Sequence, residues 1–432
     1  MLNYLNKHYE RNFVTRDVLP QGVESIHRKY DDGTTLFFIT NLSKQDINTV
    51  AEFNGKRAEM LDPWTGKSQI IGRKTAKKIE VPLELIDGES IIISIYANND
   101  SVQEGINNTE EDSDVQIIEY ESIVPEGQNV WPLEFCDLEI DGDIYENIST
   151  IDACACVYKR RGFAGDPWDN KVQFKNRYYE RNRFYKANGG FKVTYHFDIE
   201  DNYDPDKLVL SIEYGERYSI YVNGILVKSE INEGFIDNLI HSYEISGLVH
   251  YGENTIDVAA KEFDVELEVE AVTLRGDFGV YDQGSYWGMG KPRDIQLGSW
   301  VPQGYPFYYG AMLYNAKVDG NSKEKFEILI PDNNATSTSV SINGHKAGNV
   351  NLNGVKWKNI SEFMCEGVND IQIRISGSMK NYFGPHFDSS KPRNVAWPDM
   401  WKKRHKQGIA KVEEYDLINY GLSEPFKIRK RS

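Results

Sequence analysis

The sequence contains no apolar run approaching the ~20 residues that a membrane-spanning helix needs, so no membrane partner is expected. It is poor in cysteine: four in 432 residues do not make a disulfide scaffold. Cys154 and Cys156 are read as two positions along one strand, ill placed to bridge each other, and Cys136 and Cys365 complete a set expected to stay as reduced, buried thiols. The eight histidines fall in no zinc-type spacing with one another or with the cysteines. Positive charge is in deficit, with 49 Lys and Arg against 66 Asp and Glu and a net charge of −17, which argues against nucleic acid or an anionic surface as partner. The first residues show neither the apolar core nor the small-residue cleavage site of an export signal, and a cytoplasmic rather than secreted protein is expected. Also missing is any succession of strand-helix-strand units. A (β/α)₈ barrel needs about 250 residues of that alternation, so no catalytic barrel is expected here.

What the chain does have is aromatic side chains and period-two alternation. Tyr 26, Phe 19 and Trp 8 amount to 12% of the residues, a composition suited to β-surfaces and sugar-contacting loops. Runs such as Thr35–Thr40, Thr49–Phe53 and Ser90–Tyr96 are separated by the turn pairs Asp32-Gly33, Asn54-Gly55 and Asp87-Gly88, which predicts an antiparallel β-domain over residues 1–97. Residues 98–115 are rich in acid and Asn and nearly devoid of bulky apolar groups, the composition of a solvated linker. The alternation then resumes and carries an internal repeat. Ser219-Ile-Tyr-Val-Asn-Gly matches Ser339-Val-Ser-Ile-Asn-Gly, and Gly252-Glu-Asn-Thr-Ile matches Gly367-Val-Asn-Asp-Ile in the same order. Two ordered copies predict a duplicated β-sandwich, cut as 116–280 and 281–432. The fold expected is all-β, with tandem sandwiches and little helix beyond short pieces near Glu10 and over Asp399–His405.

Several motifs then resemble a known family. Val23-Glu-Ser-Ile-His-Arg-Lys-Tyr-Asp-Asp-Gly33, Leu36-Phe-Phe-Ile-Thr-Asn-Leu-Ser43 and Leu61-Asp-Pro-Trp-Thr-Gly66 resemble the β-sandwich that follows the barrel in glycoside hydrolase family 106, the α-L-rhamnosidase-type enzymes. Trp131-Pro-Leu-Glu-Phe-Cys-Asp-Leu138, Leu274-Arg-Gly-Asp-Phe-Gly-Val280, Gln303-Gly-Tyr-Pro-Phe-Tyr-Tyr-Gly310 and Asn381-Tyr-Phe-Gly-Pro-His386 are similar to signatures of the C-terminal part of such proteins, in the same order. The resemblance implies that the last two sandwiches are galactose-binding-like jelly rolls. It also implies that the carboxylate pair of glycoside hydrolysis belongs to a barrel upstream of Met1, so no catalytic residue is nominated.

The expected function is therefore the non-catalytic carbohydrate-binding or scaffolding portion of such an enzyme. The alternatives are a subunit active only with a separate barrel chain, and a structural β-protein that self-associates. Carbohydrate and a barrel are the partners implied. Sugar binding calls for aromatic faces in loops with hydrogen-bonding groups beside them. Three places qualify: Trp168 between Asp166 and Asp169; Tyr286, Trp287, Trp300 and Tyr305 in the Gly-rich connection between the repeats; and His386, Trp397 and Trp401 in the long C-terminal loop. For the first two places the preferred reading is that these rings fill a seam between domains, and for the third, docking against a barrel stands beside ligand contact. No cofactor is expected. Asp198–Asp206 holds oxygen ligands enough for a structural Ca²⁺, although it lacks EF-hand spacing and reads better as an acidic hairpin turn. The basic residues Lys427–Arg431 read as a solvated chain end.

Overall fold

The computed structural model describes residues 13–63, 66–75, 78–97, 114–163, 189–201, 203–228, 230–231, 234–321, 324–351, 354, 356–387, 404–405 and 408–431. They form tandem antiparallel β-sandwiches, as the alternation predicts. In the first, the sheet of Phe13–Thr15, Ile47–Phe53, Ile79–Leu85 and Arg73–Lys74 faces a second sheet. That second sheet runs Val23–Lys29, Thr35–Asn41, Ser90–Tyr96, Arg57–Leu61 and Ser68–Ile71. Alternate residues point inward, so Phe37, Ile39, Ala51, Phe53, Val81, Leu83, Ile93 and Ile95 close one core. Burying each large side chain there is worth about 1.5–3 kcal/mol.

The second sandwich packs the five-stranded sheet Asn129–Leu133, Val272–Gly276, Leu208–Glu213, Ile240–Glu244 and Glu230–Ile231 against a larger sheet centred on Phe191–Ile199 and Gly252–Ala260. One helix, Thr150–Arg160, closes the end of this core. The Ser149 hydroxyl caps it by accepting from the Asp152 N–H, Asp152 lies in its first turn, and Lys159 and Arg160 lie in its last. This corrects the strand reading of Cys154 and Cys156. Ala153, Cys154, Val157 and Tyr158 are the buried residues, a helical spacing rather than an alternating one. The thiols also divide: Cys136 and Cys154 are buried, Cys156 is half-buried and Cys365 is exposed. Burial pushes the Cys136 thiol up to about 12, with Asp137 adding to the effect. The helix expected near Glu10 lies outside the described residues, as does most of Asp399–His405.

The third sandwich is assembled from distant parts of the chain. Its sheets are Asp114–Ile118, Phe426–Arg431, Lys325–Leu329 and Lys358–Asn359 on one side, and Ser122–Pro125, Ala311–Gly320, Gly367–Ser376, Ser337–Ile342 and His345–Val350 on the other. The segment 114–125, expected as linker end and opening of the second sandwich, instead pairs with Phe426–Arg431 and Ala311–Gly320. The second sandwich is thus inserted between two neighbouring strands of the third. The basic tail, expected to be a solvated end, is an interior strand: Phe426 and Ile428 are fully buried, and Arg429 pairs with Glu327 at 2.5 Å and lies over Trp357. Alternation hides two apolar residues among the charges.

The repeat in the sequence has an atomic counterpart. In the second sandwich Asn223 and Gly224 take φ of 49° and 77°, and in the third Asn343 and Gly344 take 50° and 77°. These are turns that positive φ makes tight. The Asn223 amide donates to Asn254 Oδ1 at 2.8 Å, and the Asn343 amide donates to Asn369 Oδ1 at 2.8 Å. Asn254 in turn donates to the His250 and Gly252 carbonyls and accepts from the His250 N–H. Asn369 does the same with Cys365 and Gly367. Both Asn254 and Asn369 are wholly buried.

A buried amide removed from such a network leaves its partners unsatisfied, each worth about 1–3 kcal/mol. Asn254→Ala and Asn369→Ala should therefore each destabilise the chain by about 2–4 kcal/mol in urea unfolding. An exposed control such as Asn238→Ala should shift the transition by far less.

Candidate functional site

Two crossings of the chain between the second and third sandwiches, one between Pro125 and Asn129 and one over residues 291–310, are stitched to each other. Asn129, 2% exposed, donates through Nδ2 to the Phe278 carbonyl at 2.7 Å and the Gly304 carbonyl at 2.8 Å. The Tyr308 hydroxyl accepts from the Gly127 N–H and donates to the Ala311 carbonyl. Gly276 must be glycine, because a Cβ there would lie 2.4 Å from the Lys207 carbonyl oxygen. Beside these crossings lies a cleft of about 270 Å³.

The cleft has an apolar floor and a charged rim. Pro125, Phe278, Ile295 and Tyr305 supply the floor; Asp277, Arg293 and Asp294 stand at its edge. The Arg293 guanidinium carbon lies 3.8 Å from the centre of the Tyr281 ring, with Glu200 Oε1 at 3.7 Å, so the cation is laid flat and held from one side. Tyr281 is fixed in turn by its hydroxyl, which donates to the Lys291 carbonyl at 3.0 Å. The Tyr203 hydroxyl donates to the Asp277 carbonyl and fixes that backbone, leaving the carboxylate outward. Both Asp277 and Asp294 are exposed, and among the described residues neither carboxylate is hydrogen-bonded or ion-paired. A cleft with free carboxylates and a positioned guanidinium at its rim can accept and donate hydrogen bonds around the edge of a small polar ligand.

Of the residues expected from sequence, one of those described, Tyr305, lines the cleft. Asp166, Trp168, Asp169, Trp397 and Trp401 lie outside the described residues. Tyr286 is exposed on the turn joining Gly279–Asp282 to Trp287–Gly290. Trp287 is 8% exposed, its ring edge-on to Phe307 and Tyr415. Trp300 is 1% exposed and donates from Nε1 to the Tyr314 hydroxyl at 2.9 Å. His386, also 1% exposed, places Nδ1 2.8 Å from Glu134 Oε2 and Nε2 2.9 Å from the Asn381 carbonyl. Trp287, Trp300 and His386 therefore present no face to a sugar. They are packed into the seam, because a ring this large contributes more by filling an interface than by lying on it.

Asp277, Arg293 and Asp294 were missed by a search led by aromatic residues. Their signal was present in the Gly-Asp-Phe-Gly string and in Lys291-Pro-Arg-Asp294, which sits inside the Gly-rich connection. The family-like strings converge on the seam itself. Trp131–Leu138 supplies Glu134 to His386, Leu274–Val280 and Gln303–Gly310 meet at Asn129, and Tyr382 hydrogen-bonds Thr273 at 2.8 Å. As for metals, among the described residues no three His, Cys, Asp or Glu side chains are placed to hold a metal ion, those of the 198–206 stretch included. Burial, with Glu253 nearby, raises the Asp198 carboxyl above its usual range.

No family model matches the chain, and no curated protein matches it. Solved structures to which it is similar include a rhamnosidase from Novosphingobium sp. PP1Y, at 13% identity and TM-score 0.23, covering 63% of this chain and 26% of that one. An α-L-rhamnosidase from Streptomyces avermitilis complexed with L-rhamnose is 11% identical, with TM-score 0.25 and coverage of 86% and 38%. A β-D-mannosidase from Dictyoglomus thermophilum is 10% identical, with TM-score 0.24 and coverage of 58% and 31%. These likenesses are to glycosidases, at low identity, and the chain spans well under half the length of each.

The seam is rich in buried phenols. Burial pushes Tyr305 and Tyr308 up to about 12, and it holds Tyr415 well above the ordinary 10.0. The unfolded chain sheds these protons near pH 10 while the folded chain keeps them, so the stability they contribute is complete below pH 10 and is lost as pH rises through 12. Unfolding midpoints in urea should hold steady from pH 7 to about 9.5 and fall steeply beyond 10. Absorbance at 295 nm should show the seam tyrosines ionising only together with unfolding.

Proposed function

We propose that this chain is a non-catalytic, carbohydrate-binding portion of a rhamnosidase-type glycoside hydrolase, and that it holds sugar in the cleft between its second and third sandwiches. The observation that carries the reading is the combination in one concavity of an apolar floor, the free carboxylates of Asp277 and Asp294, and the braced guanidinium of Arg293. A pyranose offers a ring of hydroxyls for such a rim. The ordered motifs resembling the C-terminal part of family 106 proteins support the same assignment. The exposure of both carboxylates favours binding over hydrolysis. A glycosidase acid is set in a buried pocket, whereas both of these carboxylates face solvent, where their oxygens can accept hydroxyl hydrogens.

Support of a barrel is the second reading, favoured by the packing of the family-like strings into an internal seam rather than onto a surface. The two separate cleanly by experiment. In isothermal titration with rhamnose-containing oligosaccharides, binding at millimolar affinity or tighter is expected, at about −4 kcal/mol or better. Asp294→Ala and Arg293→Ala should each weaken it about fivefold or more without moving the thermal transition. Absence of heat at millimolar sugar would remove the binding reading and leave support as the role.

A further inference from the structure

The cleft between the second and third sandwiches carries more negative charge than it neutralises. Its charged lining is Asp277, Arg293 and Asp294. The guanidinium is already met, by Glu200 Oε1 at 3.7 Å and by the Tyr281 ring. The two carboxylates are exposed and, among the described residues, neither is ion-paired. More acid stands behind them. The Tyr203 hydroxyl, which donates to the Asp277 carbonyl, is held protonated first by burial and then by nearby charge, that of Asp277, Asp206 and Asp204 included. A neutral ligand would leave this excess unmet, and an anionic one would face two like charges across the rim.

Tyr305 adds a second unmet group. It lines the cleft and is 5% exposed. Among the described residues its hydroxyl makes no hydrogen bond, yet that oxygen is not one of the buried polar atoms sealed from solvent, so it opens on the cleft. Burial above all pushes this phenol up to about 12, so it keeps its proton and offers a donor beside its lone pairs. Polar groups set this deep are ordinarily hydrogen-bonded, and one that is not marks a place for a bound partner. Taken with the two carboxylates, the cleft is rich in acceptors and short of positive charge. A protonated amine answers both needs from a single nitrogen, with several N–H donors and a full positive charge.

We propose that the cleft selects saccharides that carry a protonated amino group, an inference that rests on its holding sugar at all. The probes are β-1,4-linked trimers of glucosamine and of glucose, which differ by an ammonium against a hydroxyl on each ring. Both are titrated into the intact protein by isothermal calorimetry at about pH 6, where the amines are protonated. The glucosamine trimer should bind about tenfold more tightly. Raising the salt from about 0.02 M to about 0.3 M should erode that preference severalfold while leaving the affinity for the glucose trimer in place. Asp277→Asn combined with Asp294→Asn, which keeps shape and removes charge, should bring the preference close to one, whatever it does to the neutral trimer. Glu84→Gln, which neutralises an exposed acid on the first sandwich, should leave the preference as it is. Equal affinity for the two trimers would overturn the proposal and leave the cleft a site for neutral sugar. A preference that survives the paired substitution would overturn it as well, being attraction to the net charge of −17 and not to the cleft. Heat from neither trimer while rhamnose-containing oligosaccharides bind would overturn it alone, and heat from no saccharide would remove the sugar-binding reading with it.

Discussion

A buried amide must find partners for all of its hydrogen-bonding groups, and two asparagines impose that requirement on most of this molecule. Asn254 and Asn369 sit at the foot of the longest central strands of the second and third sandwiches. Each ties the turn before its strand to the Asn-Gly hairpin that precedes it in sequence. With the hairpin and the turn locked together, the register of the central strand against its neighbour follows, and with it which side chains face the core. Apolar residues of similar size in these sandwiches can be exchanged at modest cost; these two amides cannot, because the desolvation penalty falls on every partner at once.

The second organising feature is the insertion of one sandwich into another. Because the chain leaves the third sandwich at Pro125 and returns at Ala311, two covalent connections run side by side between the units. Asn129 joins them through the Phe278 and Gly304 carbonyls. The cleft lies beside this double connection, and its walls come from strand ends and from the connection that carries Arg293, Asp294 and Tyr305.

What could be read from sequence follows from the range of the interactions involved. Strands such as Thr35–Asn41 and Ser90–Tyr96 were legible because alternation and turn pairs are local. The repeat was legible because it recurs. The helix Thr150–Arg160 was passed over because two cysteines at i, i+2 suggested a strand, while the telling residues were Ser149 and Asp152 at its start. The tail strand was hidden by its charge: only Phe426 and Ile428 mark it, and its partners lie far along the chain. The pairing of 114–125 with Phe426–Arg431 and Ala311–Gly320 has no local signature at all. The site failed in the same way. Trp287, Trp300 and His386 have the chemistry of binding residues but are buried by neighbours from other elements, whereas Asp277 and Arg293 gain their meaning only from where the crossovers bring them.

The long-range pairing also sets a timetable. Strand Asp114–Ile118 has no companion until Phe426–Arg431 is available, roughly 300 residues later. At translation rates of about 5–20 residues per second this leaves the strand waiting for on the order of 15–60 s while most of the inserted sandwich, whose core is finished by Phe307 and Tyr382, closes ahead of it. The order of folding is thereby the reverse of the order in which the two sandwiches begin: the inner unit becomes the template on which the outer one is finished, and the last described strand acts as the clasp. During that interval the exposed row of unpaired amides is the part of the nascent protein most in need of a chaperone.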